Sequence, residues 1–122
     1  MRIFLLLVFL CAPAMGHQFT PTYPEVFPSH LPGISKVTME LFNNRRDISY
    51  YTIGVFTTNW QRVPFATASK ILKVKYLGRE TVDIYIRNTD LPKAVYICSK
   101  SRTLVGQKQV AIVSSKICSK LK

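Results

Sequence analysis

Acidic side chains are scarce in this sequence: 6 Asp and Glu stand against 17 Lys and Arg in 122 residues, a formal charge of +11. Glycine is scarce as well, with 5 scattered residues, so no glycine-rich loop is present to cradle a phosphate. The few carboxylates form no close pair in a cleft-like motif, and no Ser, His and acidic residue share a triad context. Helical periodicity is missing beyond one or two turns, and no apolar run reaches the roughly 20 residues that a spanning helix needs. These absences exclude a nucleotide-binding or hydrolytic enzyme and stable membrane insertion. The chain reads as a non-enzyme without a cofactor or metal.

What is present is apolar. Hydrophobic residues make up 48% of the chain and charged ones 19%, too apolar for a disordered basic tail and sufficient for one packed domain. Residues 1–16 have the layout of an export signal. Met1-Arg2 is a positive start, Ile3 to Leu10 an apolar run, Pro13 a break, and Ala14-Met15-Gly16 supplies small residues for cleavage. Removal after Gly16 also removes Cys11, which leaves Cys98 and Cys118. A lone cysteine pair in an oxidising compartment predicts one disulfide.

Residues 17–33 carry Pro21, Pro24, Pro28 and Pro32 and predict an extended leader, with at most a short edge strand around Glu25-Val26-Phe27. Residues 34–122 form the predicted domain. Val37, Met39 and Leu41 alternate with Thr38 and Glu40, and Tyr51, Ile53 and Val55 form the next apolar face. Ile71 to Tyr76 precedes a turn at Leu77-Gly78-Arg79. Val82, Ile84 and Ile86 alternate with Thr81, Asp83 and Tyr85. Ala94 to Cys98 and Gln109 to Val113 are the last two predicted strands, and Trp60 is expected to pack over a sheet edge. About seven short strands separated by turns predict an all-β, immunoglobulin-like antiparallel sandwich. If Cys98 and Cys118 lie on the strands of the final hairpin, their sulfurs can meet across it.

Several stretches then resemble the amino-terminal domain of PapD-like periplasmic pilus chaperones, in the branch with a long loop between the last two strands. Val37-Thr38-Met39-Glu40-Leu41-Phe42-Asn43-Asn44 matches the early strand that ends in Asn. Pro64-Phe65 followed by Ile71-Leu72, and Thr81-Val82-Asp83-Ile84 followed by Asp90-Leu91-Pro92, match the middle of the domain. Tyr96-Ile97-Cys98-Ser99-Lys100 and Cys118-Ser119-Lys120-Leu121 match the closing hairpin. The resemblance runs from about Pro24 to Lys122. It implies a bonded Cys98–Cys118 pair and Lys120 as an anchor for a subunit's carboxyl terminus. It further implies Ala111, Val113 and Ser115 as the face donated to a pilin-like or other secreted subunit, with Val110 and Ile112 toward the domain's own core. Two departures accompany it: Glu25 stands where the family's first strand carries an arginine, and the chain stops at Lys122, where the family continues into a second domain.

The expected function is therefore a periplasmic chaperone-like module that pairs with subunits by strand addition, with an usher or second chain as a further partner. An alternative is an accessory or structural component of an envelope or pilus assembly, in which the leader is the donated strand. A minor alternative is copper binding by His17, as the new amino terminus, together with His30. Residues 91 to 122 hold seven basic residues and no acidic one. A solvated basic face is the first reading of that imbalance, an acidic protein partner or anionic envelope surface the next. Nucleic acid ranks last, since export and the lack of a base-stacking motif argue against it.

Overall fold

The alternation expected for the central strands is realised side chain by side chain in the computed structural model, which describes residues 16–103 and 114–121. Eight strands follow in order: β1 (His17–Thr20), β2 (Phe27–Pro28), β3 (Ile34–Asn43), β4 (Tyr50–Phe56), β5 (Ile71–Lys73), β6 (Arg79–Arg87), β7 (Tyr96–Arg102) and β8 (Lys116–Lys120). A single 3-10 turn, Leu91–Lys93, joins β6 to β7. No helix among the described residues is long and apolar enough to cross a membrane.

Two antiparallel sheets face each other. In the first, β3 is central, with β6 along one side and both β1 and β2 along the other. The second runs β5-β4-β7-β8. Period-two strands place every other residue on one face, so Val37, Met39 and Leu41 of β3 and Val82, Ile84 and Ile86 of β6 point inward. Tyr51, Ile53 and Val55 of β4 and Ile97 of β7 meet them from the opposite sheet. Full burial of each such aliphatic contributes about 1.5–3 kcal/mol, which makes this ladder the main support of the sandwich.

Three expectations need correction. The Pro-rich stretch is not merely an extended leader with one edge strand at Glu25-Val26-Phe27. It supplies two edge strands, His17–Thr20 and Phe27–Pro28, that pair with opposite ends of β3. Between them the chain bows toward the other sheet, where the Thr22 carbonyl accepts the Lys120 N–H at 3.0 Å. His17, Phe19 and Pro24 are buried by this arrangement, which is why the segment is held although its prolines remove ladder donors. The penultimate strand runs from Tyr96 to Arg102 rather than from Ala94 to Cys98. Trp60 lies over the outer face of the second sheet and not over an edge: its ring stacks on Tyr96 of β7 at 4.6 Å and lies 6.1 Å from Phe56 of β4. The predicted strand Gln109 to Val113 lies outside the described residues, as does the expected signal peptide apart from Gly16.

Candidate functional site

The closing hairpin is the part of the fold that the sequence marks for function. β7 and β8 pair with Tyr96 opposite Lys120, Cys98 opposite Cys118 and Lys100 opposite Lys116. The Cys98–Cys118 disulfide is formed, with the two Cα atoms 4.0 Å apart. Both cysteines point to the outer face, together with Lys116 and Lys120, because Ile97, Ser99 and Ser101 of β7 and Ser119 of β8 take the inner one. β8 is an edge strand. Among the described residues, its outer edge meets one backbone partner from elsewhere, the Thr22 carbonyl at Lys120.

Of the residues expected to meet a partner, Ala111 and Val113 lie outside the described residues. Lys120 is exposed at the end of β8. Ser115, just before β8, turns its hydroxyl inward. Its Oγ lies 2.9 Å from His17 Nδ1 and 3.5 Å from Arg45 Nη1, while its N–H donates to Ser101 Oγ and its carbonyl accepts the Ser101 N–H, both at 2.8 Å. Ser115 and Lys120 are five residues apart on an extended chain, about 16 Å, so they mark opposite ends of the edge.

Around Ser115 the sandwich holds a polar cluster that the sequence did not announce. Asn43, at the end of β3 and fully buried, donates from Nδ2 to the carbonyls of Ile48 (2.7 Å) and Val74 (2.8 Å). Its Oδ1 accepts from the Arg45 N–H at 2.9 Å and the Tyr51 hydroxyl at 2.5 Å. Arg45, only 4% exposed, grips Asp47 through Nε and Nη2 at 3.0 and 2.6 Å. A buried guanidinium is tolerable only when paired in this way, and Arg45 holds the Asp47 carboxyl below the usual carboxylate range, chiefly through that hydrogen bond. Burial pushes the Tyr51 hydroxyl up to about 12. The one sequence signal is the Asn-x-Arg-x-Asp spacing of residues 43–47.

His17 closes the cluster. Its Nε2 meets Ser99 Oγ at 2.8 Å and its ring lies 4.6 Å from that of Tyr51. Both ring nitrogens are thus engaged by serine hydroxyls. Burial pulls the His17 pKa down to about 4; the Ser99 backbone opposes this by hydrogen bonding and the Arg45 charge adds to it. The unfolded chain protonates His17 near pH 6.5, the folded one only near 4, so the stabilisation is complete above 6.5 and is lost as pH falls from there to about 4. A loss of about 2 kcal/mol between pH 7.5 and 4.5 is expected in urea unfolding. His17→Gln should flatten that step, and an unchanged slope in the variant would contradict the assignment.

The structure does not bring the two histidines together. His17 sits beside Asn43 at one end of β3, and His30 follows β2 at the other, its ring edge-on to Tyr85 at 6.4 Å. Eight strand residues separate the two ends, about 26 Å. The minor copper alternative therefore lacks its second ligand. No cluster of three His, Cys, Asp or Glu side chains gathers among the described residues.

This architecture, two facing antiparallel sheets with a bridged closing hairpin, is an immunoglobulin-like β-sandwich. No family model matches the chain, and no curated protein matches it. Among solved structures, the E. coli chaperone DraB superposes with a TM-score of 0.67 at 15% identity, over 88% of this chain and 53% of its own. The periplasmic chaperone SfaE follows with a TM-score of 0.58 at 14% identity, over 87% of this chain and 55% of its own. An ASH/PapD-like domain of human CEP192 superposes with a TM-score of 0.56 at 13% identity, over 99% of this chain and 93% of its own. The chain spans about half the length of the two chaperones it matches.

Proposed function

We infer that the domain is a chaperone-like binding module, not an enzyme, that acts in the periplasm after removal of residues 1–16. It engages a pilin-like or other secreted subunit by edge-strand pairing, donating its own last strand to the subunit. The observation that carries this reading is the β7–β8 hairpin: an edge strand stapled to its neighbour by Cys98–Cys118 whose outer edge, among the described residues, meets one backbone partner, the Thr22 carbonyl. Strand addition draws its affinity from main-chain hydrogen bonds and its register from alternating side chains. Ala111 and Val113 are proposed as the donated face and Lys120 as the contact for a terminal carboxylate; Ser115, which the resemblance assigns to that face, spends its hydroxyl on His17 within the domain. An usher or a second chain completes the assembly in this reading.

The alternative in which the leader is the donated strand is less well supported, because β1 and β2 are already paired with the chain's own β3. Co-expression with candidate subunits tests the proposal. Subunits are expected to co-purify with the intact domain and to be recovered about tenfold less with Lys120→Glu, which places a like charge against the carboxylate. Subunits that accumulate in stable, folded form without the domain would refute it.

A further inference from the structure

Five cationic side chains, Arg62, Lys70, Lys100, Arg102 and Lys116, line one depression of about 350 Å3 on the outer face of the β5-β4-β7-β8 sheet. Its walls include Gly54 and Cys98, which are paired across β4 and β7. Glycine keeps that spot open for an aromatic ring, since a Cβ at position 54 would come within 2.8 Å of the Phe56 ring. None of the six carboxylates lies on a strand of this sheet. Glu40 is on β3, Glu80 and Asp83 are on β6, and Glu25, Asp47 and Asp90 are in connecting segments. The ion pairs Arg45–Asp47, Arg79–Glu40, Arg87–Asp90 and Lys93–Asp90 all form elsewhere.

An aromatic shelf borders the depression. Lys116 Nζ lies 4.8 Å from the ring centres of both Phe56 and Trp60, and the Arg62 guanidinium lies 6.0 Å from Phe56. Trp60 is 51% exposed and has φ of 63°, a left-handed conformation that a bulky side chain rarely adopts. Strained backbone of this kind concentrates at binding surfaces.

We propose that this face is a docking site for an acidic peptide segment of a partner protein. Five like charges around one hollow repel one another, and a segment carrying several carboxylates relieves that repulsion along an open sheet surface. The volume is at the lower end for a site that holds more than a single small ion. Nucleic acid fits less well: Trp60 stacks on Tyr96, and Lys116 lies against both Trp60 and Phe56, so the shelf seats cations on its rings where a base-binding site presents them to bases. The site is a sheet face and not an edge, so it stands independently of the strand addition proposed above.

Trp60 is the single tryptophan of the chain and serves as the reporter. Titration with a decaglutamate peptide at low salt is expected to change its emission saturably, with matching heat in calorimetry. Arg62→Glu with Lys100→Glu should weaken binding by about a hundredfold, whereas Lys36→Glu with Lys75→Glu, the same charge change on other surfaces, should weaken it by less than about threefold. Far-UV circular dichroism establishes that both double variants are folded. Equal losses in the two variants, tighter binding of an oligothymidylate than of the peptide, or neither signal on peptide addition would each overturn the proposal.

Discussion

Asn43→Ala is expected to destabilise the domain by about 3–5 kcal/mol, the largest effect of any single substitution argued from this structure. The side chain is fully buried and makes four hydrogen bonds. Alanine leaves the Ile48 and Val74 carbonyls, the Arg45 N–H and the Tyr51 hydroxyl without their partner, in an interior where water does not readily replace it. Asn43→Asp separates the contributions. It keeps the acceptor for Arg45 and Tyr51 but turns a carboxylate oxygen toward two carbonyls. Urea unfolding of both variants measures the effect, and a loss below about 1 kcal/mol for Asn43→Ala would show that the cluster rearranges around the gap.

The second large effect concerns the staple. Cys98→Ser with Cys118→Ser removes a link between residues 20 apart in sequence, and closing a loop of that length contributes about 3 kcal/mol, mainly by restricting the unfolded chain. A fall in Tm of about 10 °C or more is expected for the double variant. Reductant should lower the wild-type Tm by a similar amount and leave the variant unmoved. The bond joins directly opposed residues of one hairpin, so its loss should leave the β-sheet circular dichroism intact at low temperature. A variant as stable as wild type would show that the hairpin is held by pairing alone.

The strands that could be read from the sequence are those whose inward residues are all aliphatic. β3 and β6 present Val37, Met39 and Leu41 against Val82, Ile84 and Ile86, a pattern that has no competing interpretation. β8 was invisible to periodicity for the opposite reason, and Cys118-Ser119-Lys120-Leu121 was placed on the closing hairpin by the resemblance alone. Its inward positions are Ile117 and Ser119, and its neighbour β7 turns Ser99 and Ser101 toward the same interior, so the period of two carries no hydrophobic contrast. These serines are small because His17 and Ser115 occupy the space beside them.

β1 was hidden by the prolines that follow it, which made the whole segment read as an extended chain although His17 and Phe19 are buried in regular pairing. The disulfide was legible from the cysteine count and the compartment implied by residues 1–16. Arg45 was not legible, since an arginine in a turn is ordinarily solvated and only the three-dimensional closure of β1 against β8 buries it. The basic depression is assembled from β4, β7, β8 and the long connection between β4 and β5, and no sequence window contains more than a fraction of it.

The bond between His17 and Ser115 spans 98 positions of the chain. Synthesis makes β1 long before β8, so β1 must wait for the intervening chain before its buried partners exist. Until then His17 and Arg45 have no complete shell, and the nascent domain carries an open flank. Closure in such a topology is a late, long-range event, and the emergence of β8 is the moment at which this flank can shut.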